Sequence, residues 1–262
     1  MASVLLTRPR LQSSGEDVLH TMLSQAEVAL FELPMLNFEL PAETGDLDLA
    51  MERAARGEFH SIILSSPTAV HFFHERARDL DLLDALRIKG RFGAVGRATA
   101  NALEAIGCEM SIPIPTHAGS HQLAAMLSGY DLAGKHMLLL QSQLGLEILE
   151  HSLRELGAET ERVTLYLTKG PTLGDAARLL NLLEGQKRPD VIAFFSPSAV
   201  SYFIRSVAEM GAGHLHNLPA LATIGETTAK AIEEGLRRRP EIVARKADQQ
   251  SLAEDILHYL KR

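Results

Sequence analysis

The chain reads as an α/β protein of two similar domains, each a parallel sheet flanked by helices, and three observations predict this. Short apolar runs alternate with helix-patterned segments along all 262 residues, the pattern of strands joined by helical crossovers. The second half of the sequence repeats the first. The runs end in Ser-Pro or glycine turns placed to open a helix.

The repeat is read residue by residue. Ser66-Pro67-Thr68-Ala69-Val70-His71-Phe72-Phe73 returns 130 residues later as Ser196-Pro197-Ser198-Ala199-Val200-Ser201-Tyr202-Phe203. Val95-Gly96-Arg97-Ala98-Thr99-Ala100 returns after 129 residues as Ile224-Gly225-Glu226-Thr227-Thr228-Ala229, and Gln122-Leu123-Ala124 as Ser251-Leu252-Ala253. Three blocks in one order at one spacing indicate two copies of one unit, about 1 to 130 and 131 to 262.

Within each copy, Val4 to Leu6 and Met137 to Leu140 are strand-like, and the amphipathic stretches Glu16 to Leu23 and Glu147 to Leu156 follow them. Ser61 to Leu64 and Val191 to Phe195 are buried-strand candidates running into the Ser-Pro turns, where proline suits the first helical turn because its missing N–H has no intrahelical partner there. Phe92 to Val95 and Leu221 to Ile224 end in glycine before a threonine-bearing helix start. Two Pro/Gly-rich stretches interrupt the pattern, Pro34 to Asp46 and Thr168 to Asp175. Their spacing permits either a tandem layout or two crossings of the chain between domains.

Composition excludes several classes. Apolar runs are far shorter than the roughly 20 residues of a membrane helix, so no membrane span is expected, and the MASVLLTRPR start lacks the pattern of a secretory signal. Cys108 is the only cysteine, which removes intramolecular disulfides and cysteine-rich metal sites and points to the cytoplasm. A net charge of −7 argues against a nucleic-acid footprint, and Arg237 to Arg239 read as a solvated helix end. His71 and His74 lie on one helix with no third ligand at metal-like spacing; His214 and His216 lie in a loop, again without a ligand set. Neither a dinucleotide fingerprint nor a P-loop, G-x-S-x-G elbow or H-E-x-x-H motif occurs, so no metal or cofactor is expected. Cys108, before the apolar Met110 to Ile114 run, reads as a buried thiol.

Several segments together carry a resemblance. Leu6-Thr7-Arg8-Pro9, Ser65-Ser66-Pro67-Thr68-Ala69-Val70, Val95-Gly96 with Thr99-Ala100, Leu156-Gly157-Ala158 leading to Tyr166, Phe194-Phe195-Ser196-Pro197-Ser198-Ala199-Val200, and Ile224-Gly225 with Thr227-Thr228-Ala229 stand in this order along nearly the whole chain. The chain thereby resembles the uroporphyrinogen-III synthase family. The resemblance implies two α/β domains joined by a two-stranded connector, with the substrate in the cleft between them. It implies domain 1 at 1–34 plus 172–262, an inserted domain 2 at 40–164, and connectors at 35–39 and 165–171. It implies a monomeric, cofactor-independent lyase that dehydrates and cyclises hydroxymethylbilane to uroporphyrinogen III with inversion of the terminal ring. The chain departs from the family at Thr68, where many relatives have asparagine, and at Gln141-Ser142, where Arg-Gly is common; the second change removes a carboxylate-binding charge.

Hydroxymethylbilane carries acetate and propionate groups on every ring, so the protein must accept many negative charges although it is net negative itself. Helix N-termini with free N–H groups and Ser/Thr hydroxyls meet that need, and in parallel sheets such turns lie at the carboxyl ends of strands, where ligands bind. The candidate substrate-binding residues are therefore Thr7, Arg8, Ser65, Ser66, Thr68, Thr99, Ser196, Ser198, Thr227 and Thr228. The same residue types serve as plain helix caps. The resemblance puts Tyr166 beside the ring that loses hydroxide, where a phenol can donate a hydrogen bond or proton; the alternative is a tyrosine that only closes the connector. The competing functional class is a non-enzymatic two-domain protein that closes on an anionic ligand or tetrapyrrole. A nucleotide-dependent transferase lacks a phosphate loop.

Overall fold

The computed structural model describes residues 1–8, 17–117, 119–145, 147–209, 211 and 217–261. The chain forms two compact units, Met1–Asn37 with Lys169–Arg262 (unit 1) and Phe38–Thr168 (unit 2). It begins with β1 (Ser3–Leu6), α1 (Val18–Gln25) and β2 (Ala29–Glu32) in unit 1. It continues through β3 (Asn37–Glu39), α2 (Gly45–Arg56), β4 (Ser61–Leu64), α3 (Pro67–Asp79), α4 (Leu83–Lys89), β5 (Phe92–Ala94), α5 (Arg97–Ala105), α6 (Ser120–Leu127), β6 (His136–Ser142), α7 (Ile148–Glu155) and β7 (Glu159–Lys169). It returns to unit 1 with α8 (Leu173–Glu184), β8 (Val191–Phe194), α9 (Pro197–Glu209), β9 (Ala220–Thr223), α10 (Glu226–Leu236), β10 (Ile242–Val243) and α11 (Gln249–Leu260).

The sheet of unit 1 runs β10-β9-β8-β1-β2, and every neighbouring pair is parallel. The sheet of unit 2 runs β3-β7-β6-β4-β5, with β7, β6, β4 and β5 parallel. Sequence equivalence maps β6 onto β1, β4 onto β8 and β5 onto β9, so β2-β1-β8-β9 and β7-β6-β4-β5 are the same order. The repeat boundary near residue 130 consequently falls inside unit 2, because each half of the sequence contributes strands to both units. β3 lies inside the Pro34 to Asp46 stretch, and β10 is a two-residue strand that no apolar run announces.

β1, β4 and β8 are buried along their full length, as expected of strands covered on both faces. Alternation then divides the core. Val4 and Leu6 pack with Val191, Ala193, Leu19, Leu252 and Ile256. In unit 2, Ile62 and Leu64 join Phe73, Phe92, Leu138 and Leu140, while Ile63 joins Met137, Leu139, Leu123 and Leu153 on the opposite face. Helix α2 stops at Gly57, whose φ of 80° is left-handed and suits glycine. It is tied to α3 by Arg76, whose Nε and Nη2 donate to Asp48 Oδ1 and Oδ2 at 2.7 and 2.6 Å. Arg237 to Arg239 stand at the C-terminus of α10, where Arg238 pairs with Glu241 and Arg239 with Glu233.

Candidate functional site

The repeated turns agree down to individual hydrogen bonds. Ser66 Oγ accepts from the Ala69 amide at 3.0 Å and caps α3; Ser196 Oγ accepts from the Ala199 amide at 3.2 Å at the start of α9. Val95 N donates to Leu64 O and Ile224 N to Phe194 O, extending β5 and β9 by one bond. Gly96 and Gly225 then cap α5 and α10 in extended conformation, and neither helix start has a side-chain cap. The first-turn amides of α5 and α10 therefore lack the side-chain acceptor present at α3 and α9, and sit at the carboxyl edges of their sheets with the positive end of a helix dipole.

Around these amides the predicted residues differ in what they leave free. Thr99 and Thr228, both at the third helical position, are 4 % and 3 % exposed, whereas Thr227 and Ser198 are exposed and Ser65 and Thr68 half-buried. In unit 1 the order β10-β9-β8-β1-β2 reverses chain direction of growth between β1 and β8, the switch point where doubly wound sheets bind ligands. Thr7 and Arg8 stand there. Thr7 is fully buried and its hydroxyl donates to Ala193 O at 2.8 Å, so that proton is spent within the sheet. Arg8 pairs with Asp17 and lies 5.0 Å over the Phe195 ring, beside Ser196. Burial raises the Asp17 carboxyl, but Arg8 and the His20 amide together outweigh it and hold the group below its usual range. Pro9, of the same segment, lies outside the described residues.

Tyr166 is set by a break in strand pairing. Along β6 and β7, Leu140 faces Val163 and Gln141 faces Thr164, but Ser142 faces Tyr166 because the register shifts by one. Leu165 is skipped, so Leu165 and Tyr166 both join the cluster that holds Val163, Phe72 and Phe73, where regular alternation would have turned one away. Irregularities of this kind re-aim side chains. The tyrosine ring stacks on Phe72, with centroids 5.3 Å apart and 9° between planes, and meets Phe38 edge-on at 5.6 Å. Its hydroxyl is 3.2 Å from Ser66 Oγ. Of the predicted residues, Ser66 and Tyr166 are thus brought together across 100 positions of sequence. Gln143 secures the strand beyond the break: its Nε2 donates to Thr168 O, its Oε1 accepts from Thr168 N, both at 2.8 Å, and its amide donates to Tyr166 O. Phe38, Phe72 and Gln143 carry no sequence signal that singles them out.

Other groups are ordinary. His71 approaches Glu75 at 3.5 Å, and burial lowers the His74 imidazole below its usual range. His214 and His216 lie outside the described residues. Among the described residues no three potential ligands gather as a metal site, and no helix is long and apolar enough to cross a membrane. Cys108 is 1 % exposed, and burial pushes its thiol up to about 11, so it stays protonated at neutral pH. A groove of about 350 Å³ beside α11, lined by Arg245, Lys246, Asp248, Ser251 and Glu254, has Arg245 already paired with Asp255 and Glu254.

Known proteins are similar to this chain in sequence and in fold. A curated uroporphyrinogen-III synthase of Chlorobaculum parvum is 27 % identical over 263 residues, covering all of both chains. A crystal structure of a uroporphyrinogen III synthase variant of Thermus thermophilus superposes with a TM-score of 0.63 at 17 % identity, covering 100 % of this chain and 99 % of the other. The uroporphyrinogen-III synthetase of Helicobacter pylori gives 0.62 at 18 %, covering all of both. At these identities the two structures share the fold. The family model described as uroporphyrinogen-III synthase HemD matches residues 17–254, and the chain belongs to the uroporphyrinogen-III synthase family.

Proposed function

We propose that this chain dehydrates and cyclises hydroxymethylbilane to uroporphyrinogen III, inverting the terminal ring, with no metal or prosthetic group. The observation that carries the reading is the family match across residues 17–254. Two features of the geometry support it. The glycine-started helices α5 and α10 present amides without side-chain caps, ready for carboxylates, with Thr99, Thr227 and Thr228 in the same turns. Thr7, Arg8, Ser65, Ser66, Thr68, Ser196 and Ser198 complete the set of candidate binding residues, Thr7 and Ser66 by shaping the turns they sit in, since their hydroxyls are engaged. The second feature is a phenol, Tyr166, held by two aromatic rings and one hydroxyl.

In this reading the lone pair of the substrate's pyrrole nitrogen expels the hydroxyl. The C–O bond breaks with its electron pair on oxygen, Tyr166 gives that oxygen a proton, and water leaves. The terminal ring closes through a spiro intermediate and inverts. The ring carbon that forms the last bond loses its proton as aromaticity returns, which restores the phenol. The nitrogen supplies the driving force, so the protein's contribution is orientation and one well-placed donor. The domain limits 1–34 with 172–262 and 40–164, and connectors at 35–39 and 165–171, belong to this proposal; units divided at Asn37/Phe38 and Thr168/Lys169 support it. Action as a monomer and a cytoplasmic location are also parts of the proposal, the latter suited to a lone protonated thiol.

The test is to supply hydroxymethylbilane to the purified protein and resolve type I from type III product by chromatography. Type III product formed in proportion to protein, and surviving exhaustive chelation and desalting, is expected. Tight binding without turnover would instead leave the non-enzymatic tetrapyrrole-binding relative.

A further inference from the structure

We infer that Ser66 is a positioning residue that fixes the direction of the Tyr166 hydrogen bond: Ser66 Oγ–H donates to Tyr166 Oη, which leaves the phenolic proton free for the departing hydroxyl. This rests on the reading of Tyr166 as the proton donor. A serine hydroxyl has one proton and two lone pairs. At Ser66 one lone pair receives the Ala69 amide at 3.0 Å, and the hydroxyl proton has one protein acceptor among the described residues, Tyr166 Oη at 3.2 Å. The reverse direction would give Ser66 Oγ two donors and leave its own proton without a protein partner, while consuming the proton that chemistry requires. With Ser66 as donor, a chain runs from the Ala69 amide through Ser66 to Tyr166, and each bond polarises the next. In the proton transfer, Tyr166 O–H breaks, the proton goes to the leaving oxygen, and the negative charge left on Oη is stabilised by Ser66 O–H until the proton returns.

The repeat isolates this function from capping. Ser196 caps α9 through the Ala199 amide just as Ser66 caps α3. At the 130-residue spacing that relates the two serines, the counterpart of Tyr166 is Leu36, buried and without a hydroxyl. Both serines share the cap; only Ser66 has the phenol.

The experiment reads tyrosine's Raman Fermi doublet, whose intensity ratio is high when the phenol oxygen accepts a strong hydrogen bond and low when it donates one. Subtracting the spectrum of Tyr166→Phe isolates Tyr166 from the other three tyrosines. A high ratio in the wild-type protein, lowered by Ser66→Ala and untouched by Ser196→Ala, is expected. Turnover gives the second readout: Ser66→Ala lowers kcat about 2- to 12-fold, the loss of one neutral hydrogen bond, and lowers it no further in the Tyr166→Phe background, because coupled residues are not additive. A low wild-type ratio, or equal kcat losses in both backgrounds, overturns the proposal. The wild-type spectrum decides the direction even if Ser66→Ala fails to fold. Absence of type III product from the wild type would instead sink the synthase reading, with the spectra still deciding the hydrogen bond.

Discussion

The Ser196 turn of unit 1 and the Ser66 turn of unit 2 follow equivalent strands, begin with Ser-Pro, accept an amide at the third helical position and open thirteen-residue helices. In unit 2 a register shift in the neighbouring strand pair delivers a phenol to the serine; in unit 1 the residue at the equivalent sequence position is Leu36, which carries no hydroxyl. A second contrast runs within each unit, between serine-capped helices α3 and α9 and glycine-started helices α5 and α10. The lesson is that a duplicated fold keeps its glycine-started helices in both copies, while the proposed chemistry draws on the place where one copy departs from the repeat.

The largest expected effect tests the glycine-started helices. Replacing Thr227 and Thr228 together by valine keeps shape and removes two hydroxyls. A hydrogen bond to a charged partner is worth about 1.5–3 kcal/mol, so losing two lowers kcat/KM by roughly 100-fold or more, with the fold intact by circular dichroism. Thr99→Val, at the equivalent buried position of unit 2, sharpens the comparison: a loss of similar size per hydroxyl means that both units bind carboxylates this way. Near wild-type kinetics for both variants would remove the anion role from these turns.

Next in size is Tyr166→Phe, expected to cost roughly 10- to 150-fold in kcat, one hydrogen bond to a developing charge. The product should remain type III, because ring inversion depends on how the carboxylates are anchored. Turnover and isomer ratio are measured on one sample. An unchanged rate reduces the phenol to packing between Phe38 and Phe72, and type I product at normal consumption makes it a ring-positioning group.

Much of this was legible in the sequence, and what was missed has physical causes. Parallel strands buried on both faces are continuous apolar runs, so β1, β4, β6 and β8 are found within a residue or two of Val4 to Leu6, Ser61 to Leu64, Met137 to Leu140 and Val191 to Phe195. The Ser-Pro caps follow from proline's fixed φ and missing N–H. β10 was invisible because two residues of parallel pairing leave no periodicity. The pairing of Tyr166 with Ser66 was invisible for a different reason: Val163 to Leu167 is uniformly apolar apart from Thr164, so nothing local says that Leu165 is skipped and that two consecutive side chains share one face. The engagement of Thr7 with Ala193 is likewise a consequence of strand adjacency rather than of its own segment.

A smaller effect concerns acid. The Arg76 guanidinium, aided by Thr44, holds the Asp48 carboxyl below its usual range against a counteracting effect of burial. A carboxyl depressed by folding contributes stability that is present above its unfolded value near 3.9 and is lost as pH falls through its folded value. Unit 2 should therefore loosen between α2 and α3 as pH drops below about 4, and Asp48→Asn should flatten that dependence while costing on the order of 1–2 kcal/mol at neutral pH. Urea denaturation at neutral and acid pH checks it. Equal acid sensitivity in wild type and variant would mean that other carboxylates carry the transition.

The smallest effect is a difference between two substitutions, and it returns to the opening comparison. Ser196→Ala removes a cap and should destabilise the protein by about 1 kcal/mol. Ser66→Ala removes the same cap and also leaves the hydroxyl of the buried Tyr166 without its neighbour, which adds about 0.5–1.5 kcal/mol for one neutral hydrogen bond. Both positions are half-buried and both helices are thirteen residues long, so helix length and exposure cancel in the comparison. Adding Tyr166→Phe to each should then separate the terms. In that background Ser66→Ala should cost no more than Ser196→Ala, because the phenol that distinguished the two sites is gone and only the cap is left to lose. Urea midpoints at constant denaturant dependence give the four values. If Ser66→Ala and Ser196→Ala cost the same with Tyr166 in place, the 3.2 Å contact contributes no stability, and its value to the protein lies entirely in the direction it gives the phenolic proton.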